Sequence, residues 1–346
     1  MTSGEDATNA AAGTDTPSVL QPTIETLLGA AFPGDSVHLM KERVADESVD
    51  LIMTSPPFGL VRKKDYGNED ADLYVQWFEK FAHEFFRVLK PTGSLVIDIG
   101  SAWKKGLPTK SLYQYELVIM LCRKFSFHLA QDFFWWNPAK LPSPAEWVNV
   151  RRVRVKDAVN HVWWLSRSPF PKASNRRVLQ PYSASMTNLL ENGYTPRLRP
   201  SGHDISGNFQ RDNGGAIPPN LLAIANTESN SPYQRYCRDR GIKEHPARFP
   251  AALPDFFIRM LTDPGDHVLD PFAGSCVTGA VAEDLGRRWT CFELDRDYLE
   301  GAKGRFTADP NPPVKSKPYQ VWPPSSAADE AVPLVADGGA KRPPKE

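Results

Sequence analysis

VLDPFAGSCVTGAVAEDLGRRWTCFE, residues 268–293, carries the pattern on which the fold turns. An apolar strand, Val268 to Asp270, runs into the turn Pro271-Phe-Ala-Gly274. A helical stretch then reaches Leu285, is closed by Gly286, and leads into a second strand, Trp289 to Glu293. Strand, glycine turn, helix, strand, acid is half of a nucleotide-binding α/β unit. A glycine directly after the strand lets the backbone come close to a bound nucleotide-like group, and the helix that follows offers unpaired N–H groups to an anionic part of it. Glu293, 19 residues beyond Gly274, stands where a carboxylate accepts hydrogen bonds from ribose hydroxyls. Asp270, Phe272, Gly274, Ser275 and Glu293 are the candidate ligand contacts of this unit. Alone, the turn reads equally well as a tight βα connection with a surface acid.

The same alternation extends upstream. Val49 to Thr54 is an apolar strand that stops at Ser55-Pro56-Pro57, because consecutive prolines donate no ladder hydrogen bonds. From Asp72 to Leu89, Leu73, Trp77, Phe78, Phe81, Phe85 and Val88 recur at helical spacing. A turn at Lys90-Pro-Thr-Gly93, a strand from Ser94 to Ile99, a helix from Tyr113 to Lys124, and strands from Phe127 to Trp136 and Val159 to Leu165 follow. A further helix is expected near Ala251 to Leu261. Alternating strands and helices predict an α/β fold with a mostly parallel sheet covered on both faces. Between residues 168 and 244 the periodicity gives way to Asn, Gly, Ser, Pro and Arg, which predicts a loop-built insert. The tails 1–22 and 309–346 read as disordered.

The 346 residues suffice for one large α/β domain and a smaller insert. No apolar run approaches the roughly 20 residues that span a bilayer, and Met1 to Thr16 lacks the layout of a secretory signal, so a cytoplasmic protein is expected. Cys122, Cys237, Cys276 and Cys291 form no C-x-x-C pair, which argues against a zinc site or a disulfide framework; no metal is expected. The formal net charge of zero conceals an asymmetry: Arg151 to Arg248 holds 16 Lys/Arg against 7 Asp/Glu. A local excess is what phosphate binding requires, because counterion release depends on charges at the contact.

The second informative stretch is Thr54-Ser55-Pro56-Pro57-Phe58-Gly59, at the strand edge where open α/β sheets bind ligands. An exocyclic base amine is a poor nucleophile because its lone pair is delocalised into the ring. A catalyst must hold its two hydrogens and let the nitrogen pyramidalise. Ser55 Oγ and the Pro56 carbonyl are the candidate acceptors, fixed because the prolines restrict φ. Phe58 offers a face on which an extruded base can stack, worth roughly 1–3 kcal/mol. Taken alone, the motif is also consistent with a proline-rich turn after a buried strand.

Together, Thr54-Ser-Pro-Pro-Phe58 and Asp270-Pro-Phe-Ala-Gly274 resemble the catalytic and S-adenosylmethionine signatures of the amino-methyltransferases that modify DNA. Their order, catalytic motif first, resembles the circularly permuted beta group, and the resemblance spans about Gly34 to Phe306. It implies a Rossmann-like, S-adenosylmethionine-dependent methyltransferase fold, with catalytic part 23–167, target-recognition region 168–244 and cofactor-binding part 245–308. A serine at Ser55 implies N4 of cytosine as the target. The segment with Asp35 and the run His245 to Pro250, with Phe249 and Pro250, imply further cofactor contacts, and Asp98 a support for Ser55. The run Ser55 to Asn68 is similar to one member in particular, and implies a short palindromic site such as CAGCTG. Cys276 departs from the pattern, standing where many relatives have a second glycine.

Double-stranded DNA is the implied partner, with no obligatory protein partner, a monomer or weak dimer, and a restriction endonuclease as a functional companion. Arg62, Lys63 and Lys64 beside the serine loop, and Arg151, Arg152 and Arg154 with Lys156, are the candidate DNA contacts; each cluster also reads as a solvated charged face. C5-cytosine methylation needs a thiolate, usually in a Pro-Cys pair, whereas Leu, Tyr, Ser and Thr precede the four cysteines here. Base readout is expected between about Arg176 and Arg240, and a long basic insert suits duplex DNA better than RNA. N6-adenine methylation and an inactive DNA-binding regulator on the same fold stay open.

Overall fold

The computed structural model describes residues 21–59, 69–193 and 211–307. Arg62, Lys63, Lys64 and nearly all of both tails lie outside the described residues. The described strands form one nine-stranded sheet: β1 (Ile24–Glu25), β2 (Gly29–Pro33), β3 (Val49–Thr54), β4 (Leu89–Ile99), β5 (His128–Trp136), β6 (Val159–Ser166), β7 (Leu221–Ala223), β8 (His267–Asp270) and β9 (Arg288–Glu293), in the spatial order β1-β2-β9-β8-β3-β4-β6-β5-β7. Only β1 and β6 run against the rest. The sheet is mostly parallel, as expected.

β3 lies at the centre, between β8 and β4, and all six of its residues are buried. That explains its consecutive apolar residues Leu51, Ile52 and Met53: a strand covered on both faces has no solvent side to alternate towards. Leu51 and Met53 face one core, built with Leu253, Phe257, Val277 and Val281 of α6 (Ala252–Leu261) and α7 (Val277–Asp284). Val49 and Ile52 face the other, built with α1 (Ser36–Arg43), α2 (Tyr74–Val88) and α3 (Tyr113–Lys124). α2 buries Tyr74, Phe78, Phe81, Phe85 and Val88, the side its spacing marks.

Two stretches differ from the sequence expectation. The Lys90–Gly93 turn sits inside β4: Val49 pairs with Leu89 but Leu51 pairs with Ser94, so residues 90–93 bulge out opposite Asp50. The region 168–244 is not purely loop. It holds α4 (Ala184–Asn192), β7, which extends the main sheet beside β5, and α5 (Pro232–Arg240), which packs on α8 (Arg296–Ala302). α5 was overlooked because its apolar face is narrow, Tyr233 and Cys237 alone; its start is set by a capping box between Ser231 and Gln234. No helix among the described residues is long and apolar enough to cross a membrane.

Candidate active site

The carboxyl ends of β3, β4, β8 and β9 open into one cavity of about 610 Å³. The serine loop and the glycine turn both reach it: Ser55, Pro56, Pro57, Phe58 and Asp98 line it together with Phe272, Gly274, Ser275 and Glu293. Asp35 and Phe249 complete this set from two further segments. Pro250 does not line the cavity; it is buried, and its carbonyl accepts from Leu253 N–H at the start of α6. Asp270 is likewise absent from the lining, against the expectation of a ligand contact. Its oxygens are taken by Thr54 Oγ1 at 2.7 Å, Thr278 Oγ1 at 2.6 Å and the Phe272 N–H at 3.1 Å. It clips the end of β3 to the glycine turn and to α7, and burial pushes its carboxyl up to about 6.

Ser55 donates its hydroxyl proton to Asp98 Oδ2 at 3.0 Å, and Asn160 Nδ2 donates to Asp98 Oδ1 at 3.0 Å. Asp98 is 1% exposed. Burial pushes its carboxyl up to about 6, against the opposing pull of Asn160, Ser55 and the Lys140 charge. Asn160 and Lys140, outside the recognised motifs, reach the cavity from β6 and the β5–β6 connection. The signal for Asn160 was a polar residue near the start of β6, ahead of the apolar run Val162 to Leu165. Phe58 packs against Gly100, where an added Cβ would stand 2.5 Å from its ring. Its wall is therefore set by the absence of a side chain at Gly100.

On the other side, Glu293 accepts from the Gly274 N–H at 2.7 Å and from the Asp295 N–H at 3.1 Å, and burial raises its carboxyl. Gly274 has φ of +51°, and an added Cβ would meet the His245 ring at 3.2 Å. His245 is held by Ala247 and Tyr233, and burial lowers its imidazole to about 4, so it is a neutral wall of the cavity at pH 7. Cys276, at φ +54°, adopts the left-handed conformation that glycine takes most easily, so the place where the resemblance implies a glycine is one whose backbone suits glycine. Its side chain is fully buried against Gly279. Phe272 packs, its ring tilted, against Phe81 at 4.8 Å and Trp77 at 6.0 Å, an aromatic wall missed in the motifs although both partners belong to the α2 pattern. Asp35 caps α1, accepting from the His38 N–H at 2.9 Å.

The basic cluster Arg151, Arg152 and Arg154 is exposed on the β5–β6 connection, whose two roots line the cavity. Arg151 pairs with Glu146 at 2.7 Å, and Arg154 donates to the Pro108 carbonyl at 3.1 Å.

Residues 49–304 match the family model for N6/N4 methyltransferases, described as DNA methylase. The chain is 52% identical over 289 residues to the Type II methyltransferase M.PvuII of Proteus hauseri, covering 83% of this chain and 86% of that one. It is 30% identical over 283 residues to the Type II methyltransferase M.BamHI of Bacillus amyloliquefaciens, covering 80% of this chain and 56% of the relative. The solved structure of the cytosine-N4-specific PvuII DNA methyltransferase superposes with a TM-score of 0.69 at 45% identity, covering 84% of this chain and 90% of that one. With both signature loops meeting in one cavity and the match running through most of the sheet, the chain belongs to the DNA methylase family.

Proposed function

We propose that the chain transfers a methyl group from S-adenosylmethionine to N4 of cytosine in a short duplex sequence, such as the palindrome CAGCTG. One observation carries the reading: Ser55, hydrogen-bonded to a buried carboxylate, shares a cavity with the Gly274–Glu293 pair. The cavity fits the cofactor in size, in its backbone cradle at Gly274 where a Cβ would intrude, and in its donor set. Glu293 would hold the ribose hydroxyls, Asp35 the adenine side, and Phe249 with Ser275 the methionine side. When bound, S-adenosylmethionine supplies an electrophilic methyl on a sulfonium.

The chain's own residues prepare the amine. Because Ser55 gives its proton to Asp98, its lone pairs are left to accept an amine hydrogen, and the Pro56 carbonyl is the second acceptor. Both favour a pyramidal nitrogen over a planar conjugated one. Phe58, rigid on Gly100, stacks on the extruded base. After attack the nitrogen carries positive charge, and a proton passes through Ser55 Oγ towards Asp98, a base whose elevated pKa suits it to receive one. Arg151, Arg152 and Arg154 would face the duplex phosphates, with Arg62, Lys63 and Lys64 beside the serine loop. Each strand of a palindrome is modified in a separate visit, so no dimer is required, and a restriction endonuclease recognising the same sequence would be a functional companion. The test is incubation with labelled cofactor and duplex DNA, followed by sequencing that distinguishes N4-methylcytosine from N6-methyladenine. Label on adenine overturns the cytosine assignment; binding without transfer overturns the enzyme.

A further inference from the structure

The β5–β6 connection, residues 137–158, leaves and re-enters the sheet at the rim of the cavity, lined by Asn137 and Lys140 on the way out and Ala158 on the way back. Between these roots the loop is braced on itself and on the 101–110 segment, where Arg154 donates to the Pro108 carbonyl and Ser101 and Lys110 donate to Asp157. A single π-helical turn spans Glu146–Val150, and the Val153 and Arg154 N–H groups both donate to the Trp147 carbonyl, at 2.9 and 3.2 Å. Arg151 is held by Glu146 and lies over Trp147 at 5.2 Å. The Asp157 N–H reaches the Ser143 carbonyl at 3.0 Å, and Lys156 Nζ donates to the Pro138 and Lys140 carbonyls, each at 3.2 Å.

A loop with so many internal bonds holds a shape, yet its outer side presents Val150, Val153 and Val155 at 69%, 51% and 87% exposure. They alternate with exposed Arg151, Arg152 and Arg154. Single exposed apolar side chains need no explanation, but three within one short braced segment bury nothing of this chain's own core. Valine is stiff at χ1, so it loses little freedom when it is buried by a partner. The arginines between them fix the chemistry of that partner as polyanionic, and the base of the loop is the wall of the cavity that takes a base.

Resting on the function proposed above, we infer that this tip is a wedge: Val153 and Val155 fill the place in the base stack left by the extruded nucleotide, while Arg152 and Arg154 hold the flanking phosphates. An apolar side chain entering a base step offsets the cost of unstacking, and it does so only where the duplex has to be opened. The wedge is distinct from the catalytic groups, since none of these valines lines the cavity.

The test uses the full chain with Val153→Ser and Val155→Ser combined. It compares kcat/KM, relative to the unmodified protein, on a fully paired duplex and on the same duplex with an abasic site opposite the target cytosine. On paired DNA the variant is expected to fall about ten-fold or more, and on the pre-opened duplex to stay within about two-fold, because the abasic site has already removed the cost of opening. Cofactor affinity and the salt dependence of duplex binding stay unchanged, as no charge is removed. Val155→Leu, which keeps an apolar tip, is expected to retain activity on paired DNA. Wild-type activity of the serine variant on paired DNA overturns the wedge. So does an equal loss on both duplexes, which would assign the valines to docking with DNA or with another partner. A parent protein that labels cytosine in neither duplex sinks the proposed function instead, so the two failures are told apart.

Discussion

Ser55 works through what stands behind it. Its hydroxyl proton is committed to Asp98, and Asp98 is kept in place by Asn160, so in the proposed reaction the loop would present lone pairs and not a donor to an incoming amine. On the proposed mechanism, Ser55→Ala removes one acceptor of the transition state and leaves the cavity walls intact. Transfer is expected to slow by about 10²–10³, the usual cost of losing one preorganised hydrogen-bonding group, with cofactor and DNA affinity little changed. Single-turnover transfer beside equilibrium binding checks this, and unaltered turnover removes Ser55 from the mechanism. Asp98 adds a pH dependence. Its folded pKa of about 6 lies above its ordinary value, so the ionised acceptor is present above pH 6 and activity falls as pH drops through that value. Stability moves the other way: a carboxyl raised by burial contributes most below its unfolded pKa, and that contribution is lost as pH rises through about 6. Asp98→Asn should therefore abolish the acid limb of residual activity, slow transfer, and melt higher than the parent protein at pH 8. An acid limb that survives the substitution would assign it elsewhere, with Asp270, also near 6, as the first alternative.

At the scale of elements, the site exists because three segments are tied at one sheet edge, and Asp270 is the tie. Thr278→Val keeps the shape of the side chain but strips a hydrogen bond from a buried carboxylate. Urea unfolding should show a loss of about 1.5–3 kcal/mol, the range for hydrogen bonds to charged groups; no loss would mean that Thr54 and the Phe272 N–H suffice. Glu293→Ala acts on β9 in a different way. It removes the acceptor of the Gly274 N–H as well as the proposed ribose contact, so cofactor affinity should drop while base-independent DNA binding holds. Calorimetric titration with cofactor decides it, and an unchanged affinity overturns the ribose role. These ties were only partly legible in the sequence. β3 stood out because a central strand buried on both faces carries consecutive apolar residues, β8 and β9 because they flank the glycine turn and its helix, and α2 and α3 because one face of each is core. β2, which is Gly29-Ala-Ala-Phe-Pro33, has almost no intrinsic strand preference and is set by pairing with β9. Asn160 and Lys140 were hidden for a similar reason: their meaning lies in β6 running antiparallel beside β4, a long-range pairing that local pattern does not encode. The motif residues gave the cavity, whereas the supporting contacts needed the topology.

Over the whole molecule the zero net charge divides unevenly, and the structure shows which positive charges are already spent. Arg167 pairs with Glu47, Lys172 with Asp263 and Asp266, Arg177 with Asp263, and Arg248 with Glu244. Lys172 and Arg177 tie the insert to the turn before β8, and all four cations are already matched by carboxylates. Arg151 is partly spent on Glu146. Arg152 and Arg154, by contrast, meet no carboxylate among the described residues and sit on the loop that rises from the cavity rim. Reversing both, Arg152→Glu with Arg154→Glu, should lower the slope of log binding constant against log salt by about two, since each lost phosphate contact removes about 0.9 for duplex DNA. The matched reversal of Lys172 and Arg177 should leave that slope alone and lower the melting temperature, because it breaks internal pairs around Asp263 and Asp266. Fluorescence anisotropy across a salt series on both double variants separates the outcomes. If the Lys172 and Arg177 pair changes the slope while the Arg152 and Arg154 pair does not, the duplex lies along the insert face and the rim loop is not its seat.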